Sequence, residues 1–167
     1  PKLTVLMPVY NGEKFIRHAI ESVLSQSFDD YEFLIIDDKS QDSTKDIILS
    51  YRDSRVRFVQ NKENLAQMQT LNLGLELSRG EYIARMDQDD TSLPKRFERE
   101  VDILDRFDDI ALVFADSYII DEKGVRRQKT VFDYTKPPRL FIFNELLKRN
   151  FVEGCTVMMR KSAIKDI

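Results

Sequence analysis

Apolar and polar positions along this chain alternate between two periods. Leu3-Thr4-Val5-Leu6-Met7 is a short apolar run closed by Pro8, and Tyr31-Glu32-Phe33-Leu34-Ile35-Ile36 is a second, closed by Asp37-Asp38. Both read as buried strands. Between them Phe15, Ile16, Ala19, Ile20, Val23 and Leu24 recur at helical spacing after the turn signal Asn11-Gly12, so one stripe faces inward. The pattern then predicts a helix over 43–51, a strand Val56-Arg57-Phe58-Val59, a helix whose stripe is Leu65, Met68, Leu71 and Leu75, and a strand over 81–86. After Pro94 a helix places Phe97, Val101, Leu104 and Phe107 on one face, followed by a strand over 110–115. Such alternation implies an α/β, Rossmann-like domain with a mainly parallel sheet flanked by helices.

Beyond residue 115 the alternation degrades. Asp121-Glu122-Lys123-Gly124 reads as a turn between extended segments over 117–120 and 125–132, Pro137-Pro138 starts a helix through Leu140, Phe143 and Leu147, and Thr156-Val157-Met158-Met159 is a last strand. The 167 residues fit one domain, in which about 1–115 form one half and 116–167 begin another. A chain of this size buries roughly 70% of its unfolded surface, and the 42% hydrophobic content supplies that core.

Charge narrows the function classes. With 26 Lys plus Arg against 29 Asp plus Glu the net charge is -3, the wrong sign for a protein that wraps nucleic acid. Cys155 is the single cysteine; it forms no internal disulfide, has no Cys or His near it in sequence for a zinc site, and favours a reducing, cytoplasmic setting. No run approaches the roughly 20 apolar residues of a membrane span. The chain opens on Pro1 rather than Met, which predicts an excerpt of a longer polypeptide.

In open parallel sheets, ligands bind at the carboxyl ends of the strands, where neighbouring crossovers leave in opposite directions. Pro8-Val9-Tyr10-Asn11 follows the first strand, Asp37-Asp38-Lys39-Ser40 the second, and Asp87-Gln88-Asp89-Asp90 the fourth. If the first strand lies between the other two, five carboxylates converge on one crevice. So many like charges require a neutralising cation or hydrogen-bond donors. Oxygen ligands without His suit Mg2+ or Mn2+, whose open positions take phosphate oxygens. Neither a GxGxxG after the first strand nor a GxxxxGK[ST] competes. The plainer alternative is that these Asp residues cap helices and fill turns.

The series Pro8 to Asn11, Leu24-Ser25-Gln26-Ser27-Phe28, Ile36 to Thr44, Gly80 to Asp90 and Leu93-Pro94 resembles family 2 glycosyltransferases with the A-type fold. The resemblance implies inverting transfer of a sugar from a nucleotide diphosphate donor, a UDP-sugar, to a saccharide or lipid-linked acceptor in polysaccharide or glycoconjugate synthesis. It further implies that Pro8, Val9, Tyr10, Asn11, Asp38, Asn64, Asp87 and Gln88 hold the nucleotide. Asp87-Gln88-Asp89 then looks like the family's DxD signature, with Asp89 on a Mn2+ or Mg2+ ion and both Asp87 and Asp89 serving catalysis. Lys39 and Ala66 stand where Gly is commoner, and Leu71 where Arg is. In the family the general base belongs to a later acidic motif, so the donor half of a site is expected here.

Two other readings remain at this point: a haloacid-dehalogenase-like phosphatase with Asp87 as nucleophile, since Asp87-Gln88-Asp89-Asp90-Thr91 fits DxDx[TV], and a non-catalytic nucleotide-sugar-binding module. His18, off the apolar stripe, reads as a solvated helix residue, and Cys155 as a small buried filler. Lys123, Arg126, Arg127 and Lys129 read as one face of a surface hairpin, or as a contact for an anionic acceptor or the inner face of the cytoplasmic membrane.

Overall fold

The computed structural model describes residues 1–128 and 152–164. Six strands form the main sheet in the order β3-β2-β1-β4-β8-β5. They are β1 (Leu3–Val9), β2 (Tyr31–Asp37), β3 (Val56–Gln60), β4 (Tyr82–Arg85), β5 (Leu112–Phe114) and β8 (Val157–Arg160). β1 pairs in parallel with β2 and with β4, and β2 with β3. β1 and β2 are buried over all seven residues each, as their unbroken apolar runs predict for central strands.

Successive side chains of a strand face opposite sides, and the core accordingly divides into two clusters. Leu3, Val5, Met7, Phe33 and Ile35 pack against α1 (Ile16–Leu24), Ile48 of α2 (Thr44–Leu49) and Phe97, Val101 and Leu104 of α4 (Arg96–Arg106). On the other side Leu6, Leu34, Ile36 and Ile83 meet α3 (Ala66–Leu77) through Leu71 and Leu75. The crossover through α3 thus returns over the face opposite to α1 and α2, which opens a crevice at the carboxyl ends of β1 and β4.

Two sequence expectations change, and one strand takes a place that the sequence leaves open. The α3 stripe was expected to include Met68, which is 69% exposed, while Thr70 and Gly74 are fully buried against the sheet. A Cβ at Gly74 would stand 2.3 Å from Leu6 Cδ1, so α3 lies close because a glycine faces the strand. Phe107 falls just past the end of α4 and is half exposed rather than part of its buried face. Finally, β8 runs antiparallel to both β4 and β5 and separates them, so the parallel order does not continue past β4.

A separate hairpin joins β6 (Ile119–Ile120) to β7 (Arg126–Gln128) through the expected turn, with Gly124 at φ 75°. Lys123, Arg126 and Arg127 are exposed. Arg126 lies 3.7 Å from the Tyr118 ring centroid, Arg127 pairs with Asp121, and Lys14 reaches Glu122 at 2.6 Å. Lys129, the rest of the extended segment expected to residue 132 and the helix expected after Pro137 lie outside the described residues. No helix among the described residues is long and apolar enough to cross a membrane.

Candidate functional site

A cavity of about 580 Å³ opens at the carboxyl end of the sheet, and three walls define it. Pro8, Val9 and Tyr10 at the end of β1 form the floor. Asp38 after β2, with Asn64, Ala66, Gln67 and Thr70, makes one side; Asp87, Gln88 and Asp89 after β4 make the other. Asn11 stands apart from this lining. Its backbone is left-handed at φ 49°, its N–H donates to Ser40 Oγ and its Oδ1 accepts from Gln41 N–H, so it ties the β1 loop to the β2 loop.

The two adjacent Asp residues after β2 separate in role. Asp37 is fully buried and accepts from Ser40 N–H and Gln60 Nε2 (3.1 and 2.7 Å), so it closes a loop and does not join the crevice as expected. Asp38 Oδ1 accepts from Asn61 Nδ2 at 2.7 Å and from Leu65 N–H at 2.8 Å. Burial would push the Asp38 carboxyl up, but hydrogen bonds from the Leu65 N–H, Asn61 and Thr70 outweigh it and hold it below the ordinary carboxylate range. A fixed anion therefore faces the cavity. Asn61, absent from the sequence-based site, is 5% exposed and also donates to Thr70 Oγ1. The signal was present: Asn61 follows β3 as Asp38 follows β2, and the same strand-end rule applies to it.

Across the cavity, Arg85 holds both oxygens of Asp87 through Nε (3.0 Å) and a terminal nitrogen (3.2 Å). Gln88 turns its amide onto the Tyr10 backbone: Tyr10 N–H donates to Oε1 (2.8 Å) and Nε2 donates to the Tyr10 carbonyl (3.1 Å). Asp89 is exposed on the cavity wall. Burial pushes the Asp90 carboxyl up, as do the charges of Asp89, Asp87 and Glu153, while the Cys155 thiol opposes the rise. The fold brings Cys155 to the start of β8, with its sulfur within 4.8 Å of oxygens of Asp87 and Asp90. Burial and those carboxylates push its thiol up to about 12, the opposite of the lowered pKa that activates a nucleophilic cysteine.

This donor set fits a hard divalent ion. Asp87 is engaged by Arg85 and Asp90 lies behind the cavity wall against Cys155, so Asp89 is the carboxylate that faces the cavity from this loop without such an engagement, and its oxygens are the ligand type of Mg2+ and Mn2+.

Below the carboxylate loop lies a polar support. Gln26 Nε2 donates to the Leu93 carbonyl (2.9 Å) and its Oε1 accepts from Phe97 N–H (3.2 Å), while Ser27 N–H donates to the Pro94 carbonyl (2.8 Å). The Ser25-Gln26-Ser27 and Leu93-Pro94 segments are thus two sides of one joint. Arg96 extends from α4 to Ser92 Oγ (3.0 Å), to the Arg85 carbonyl (3.3 Å) and to the buried Glu100 (3.2 Å).

The model of the family described as "Glycosyl transferase family 2" matches residues 4–167. The chain belongs to glycosyl transferase family 2. The DxDx[TV] segment therefore falls in a glycosyltransferase family rather than a phosphatase one, in keeping with an Asp87 whose oxygens are both occupied. An uncharacterized glycosyltransferase of Methanocaldococcus jannaschii is 36% identical over 171 residues, covering 98% of this chain and 57% of that one. EpsE of Bacillus subtilis is 35% identical over 170 residues, all of this chain and 59% of the other. The chain thus spans less than two thirds of these relatives. Among solved structures, S. aureus TarS 1–349 in complex with UDP-GlcNAc superposes with a TM-score of 0.81 at 23% identity, over 99% of this chain and 47% of that one. The mannosyltransferase PcManGT of Pyrobaculum calidifontis, in complex with GDP-Man and Mn2+, gives 0.71 at 18% over 99% and 46%. These likenesses establish the shared fold.

Proposed function

We propose that this chain forms the donor side of an inverting glycosyltransferase that takes a sugar from a UDP-sugar, with Mn2+ or Mg2+ at its carboxylate loop. The observation that carries the reading is the meeting of Asp38 with Asp87 and Asp89 in one cavity between β1, β2 and β4. Asp38, kept ionised by its donors, accepts from the base, with Pro8 to Tyr10 and Asn64 beside it. Asp87, oriented by Arg85, stands toward the ribose, and Asp89 holds the cation. When bound, the cation supplies the positive charge that neutralises the leaving diphosphate. Transfer breaks the bond from the anomeric carbon to the diphosphate oxygen, which leaves with the bonding pair, and forms one to a hydroxyl oxygen of a saccharide or lipid-linked acceptor, whose proton passes to a carboxylate general base. The choice of UDP is supported by the TarS complexes with UDP-GlcNAc and UDP, and that of a divalent ion by the mannosyltransferase complex with Mn2+.

Calorimetric titration of UDP and GDP, with Mn2+ or with chelator, tests this. A nucleoside diphosphate and a carboxylate-rich wall repel each other without a cation, so UDP affinity is expected to fall at least tenfold in chelator. Asp89→Ala should abolish most of that dependence. Asp38→Asn should weaken UDP in both conditions, because the replaced carboxylate also orders Asn61 and Leu65. Equal affinity in chelator, or a metal response that survives loss of Asp89, would overturn the assignment.

A further inference from the structure

β1 and β4 part where the cavity opens. Their ladder runs from Leu3 opposite Tyr82 to Leu6 opposite Arg85, and Met86 N–H closes it on the Leu6 carbonyl. Past this point the two chains diverge, and the Gln88 side chain spans the gap. Its amide meets both polar groups of the Tyr10 backbone, at 2.8 and 3.1 Å, as one more rung of the sheet would. Gly12 makes the space for it: a Cβ there would stand 2.7 Å from Gln88 Oε1 and 3.0 Å from its Cδ. Gly12 is buried, lies outside the cavity lining, and is not in the left-handed region. Room for the amide, not backbone freedom, is what glycine provides at this position.

Resting on the nucleotide-binding reading above, we propose that Gln88 is a positioning residue that couples the base side of the cavity to its carboxylate side. The amide transmits the placement of Asp87 and Asp89 to Tyr10, so that ordering the carboxylate loop around a diphosphate orders the β1 loop as well. One amide oxygen and one amide N–H are committed to Tyr10, and this bridge rather than ligand contact is the side chain's main work. Few side chains offer the combination. Met matches the length without polar atoms, Glu sets a second acceptor against the Tyr10 carbonyl, and Asn is one methylene short.

Two measurements on the whole chain, in the wild type, Gln88→Met, Gly12→Ala and the double variant, test the coupling. The first is exchange of the Tyr10 amide proton in ligand-free protein, followed by NMR, since an amide that loses its acceptor exchanges faster. The second is calorimetric titration of UDP with Mn2+ and with chelator. Both single variants are expected to speed Tyr10 exchange, to weaken UDP in Mn2+ by about tenfold and to shrink the affinity ratio between Mn2+ and chelator. The double variant should be no worse than the weaker single one, as expected when two changes break one interaction. Loss of UDP affinity with Tyr10 exchange unchanged would make Gln88 a ligand contact, and faster exchange with an unchanged affinity ratio would make the bridge merely structural; either result overturns the proposal. If Gln88→Met fails to fold, Gly12→Ala carries the same test with every polar group of the bridge retained. A wild type that binds no UDP removes the nucleotide reading and the coupling with it, whereas wild-type binding left unaltered in both variants removes the coupling alone.

Discussion

Besides Asn11, two residues with side chains occupy the left-handed region in the loops around the cavity, Lys39 at φ 67° and Ala66 at φ 64°. For an L-residue that conformation costs about 1–2 kcal/mol, and glycine escapes it at a smaller entropic cost. Ala66→Gly is therefore expected to stabilise the chain by roughly 0.5–1 kcal/mol, read as a higher midpoint in denaturant; a lower midpoint would show that the loop is held elsewhere. The strain also explains a sequence observation: both positions are those where the resembling family more often carries Gly. At this scale the sequence was informative about residue type but not about direction. Asp37 and Asp38 are chemically identical neighbours, and only the strand register decides that the first closes a loop while the second faces the cavity. Asn61 follows the third strand, where the same strand-end rule places a site residue.

Among the elements, α1, β1 and β2 were legible because their apolar patterns are long, and β3 and β4 because short apolar runs alternate with helical stripes. α3 was legible in extent but not in orientation. A helix that packs close to a sheet presents small residues, here Thr70 and Gly74, and a search for large apolar side chains passes over them. Gly74→Ala raises helix propensity by about 1 kcal/mol, yet its Cβ would meet Leu6, which is 1% exposed and has little room to yield. Overpacking of this kind costs about 1–3 kcal/mol, so net destabilisation is expected, with UDP binding weakened as α3 shifts the Ala66 to Thr70 wall. An increase in stability would mean that Leu6 repacks freely. β8 was readable as a strand, but its antiparallel place between β4 and β5 was not, because the order of strands along a chain does not fix their order in a sheet.

For the molecule as a whole, the buried Arg96–Glu100 pair sets a pH dependence. Burial pushes the Glu100 carboxyl up to about 7 from its ordinary 4.5 despite the Arg96 guanidinium. The folded chain therefore holds a proton that the unfolded chain has released between these values. That contribution is complete below pH 4.5, declines as pH rises through the window, and is gone above about 7. Thermal or chemical unfolding across this range should show the wild type losing on the order of 3 kcal/mol that Glu100→Gln does not lose; parallel profiles would remove Glu100 as the source. Whole-molecule architecture also bears on how the protein is made. β4 gains its second neighbour, and β5 its connection to the sheet, only from Val157 to Arg160. A ribosome adds about 5–20 residues per second, so a newly emerged β4 exposes the unpaired edge of Tyr82, Ile83 and Ala84 for several seconds while the intervening chain is synthesised. Such an edge is a template for wrong partners. The cavity thus depends on a strand encoded well after its own residues, and a graft of residues 1–115 into another protein would transplant the pocket without the strand that seals its sheet.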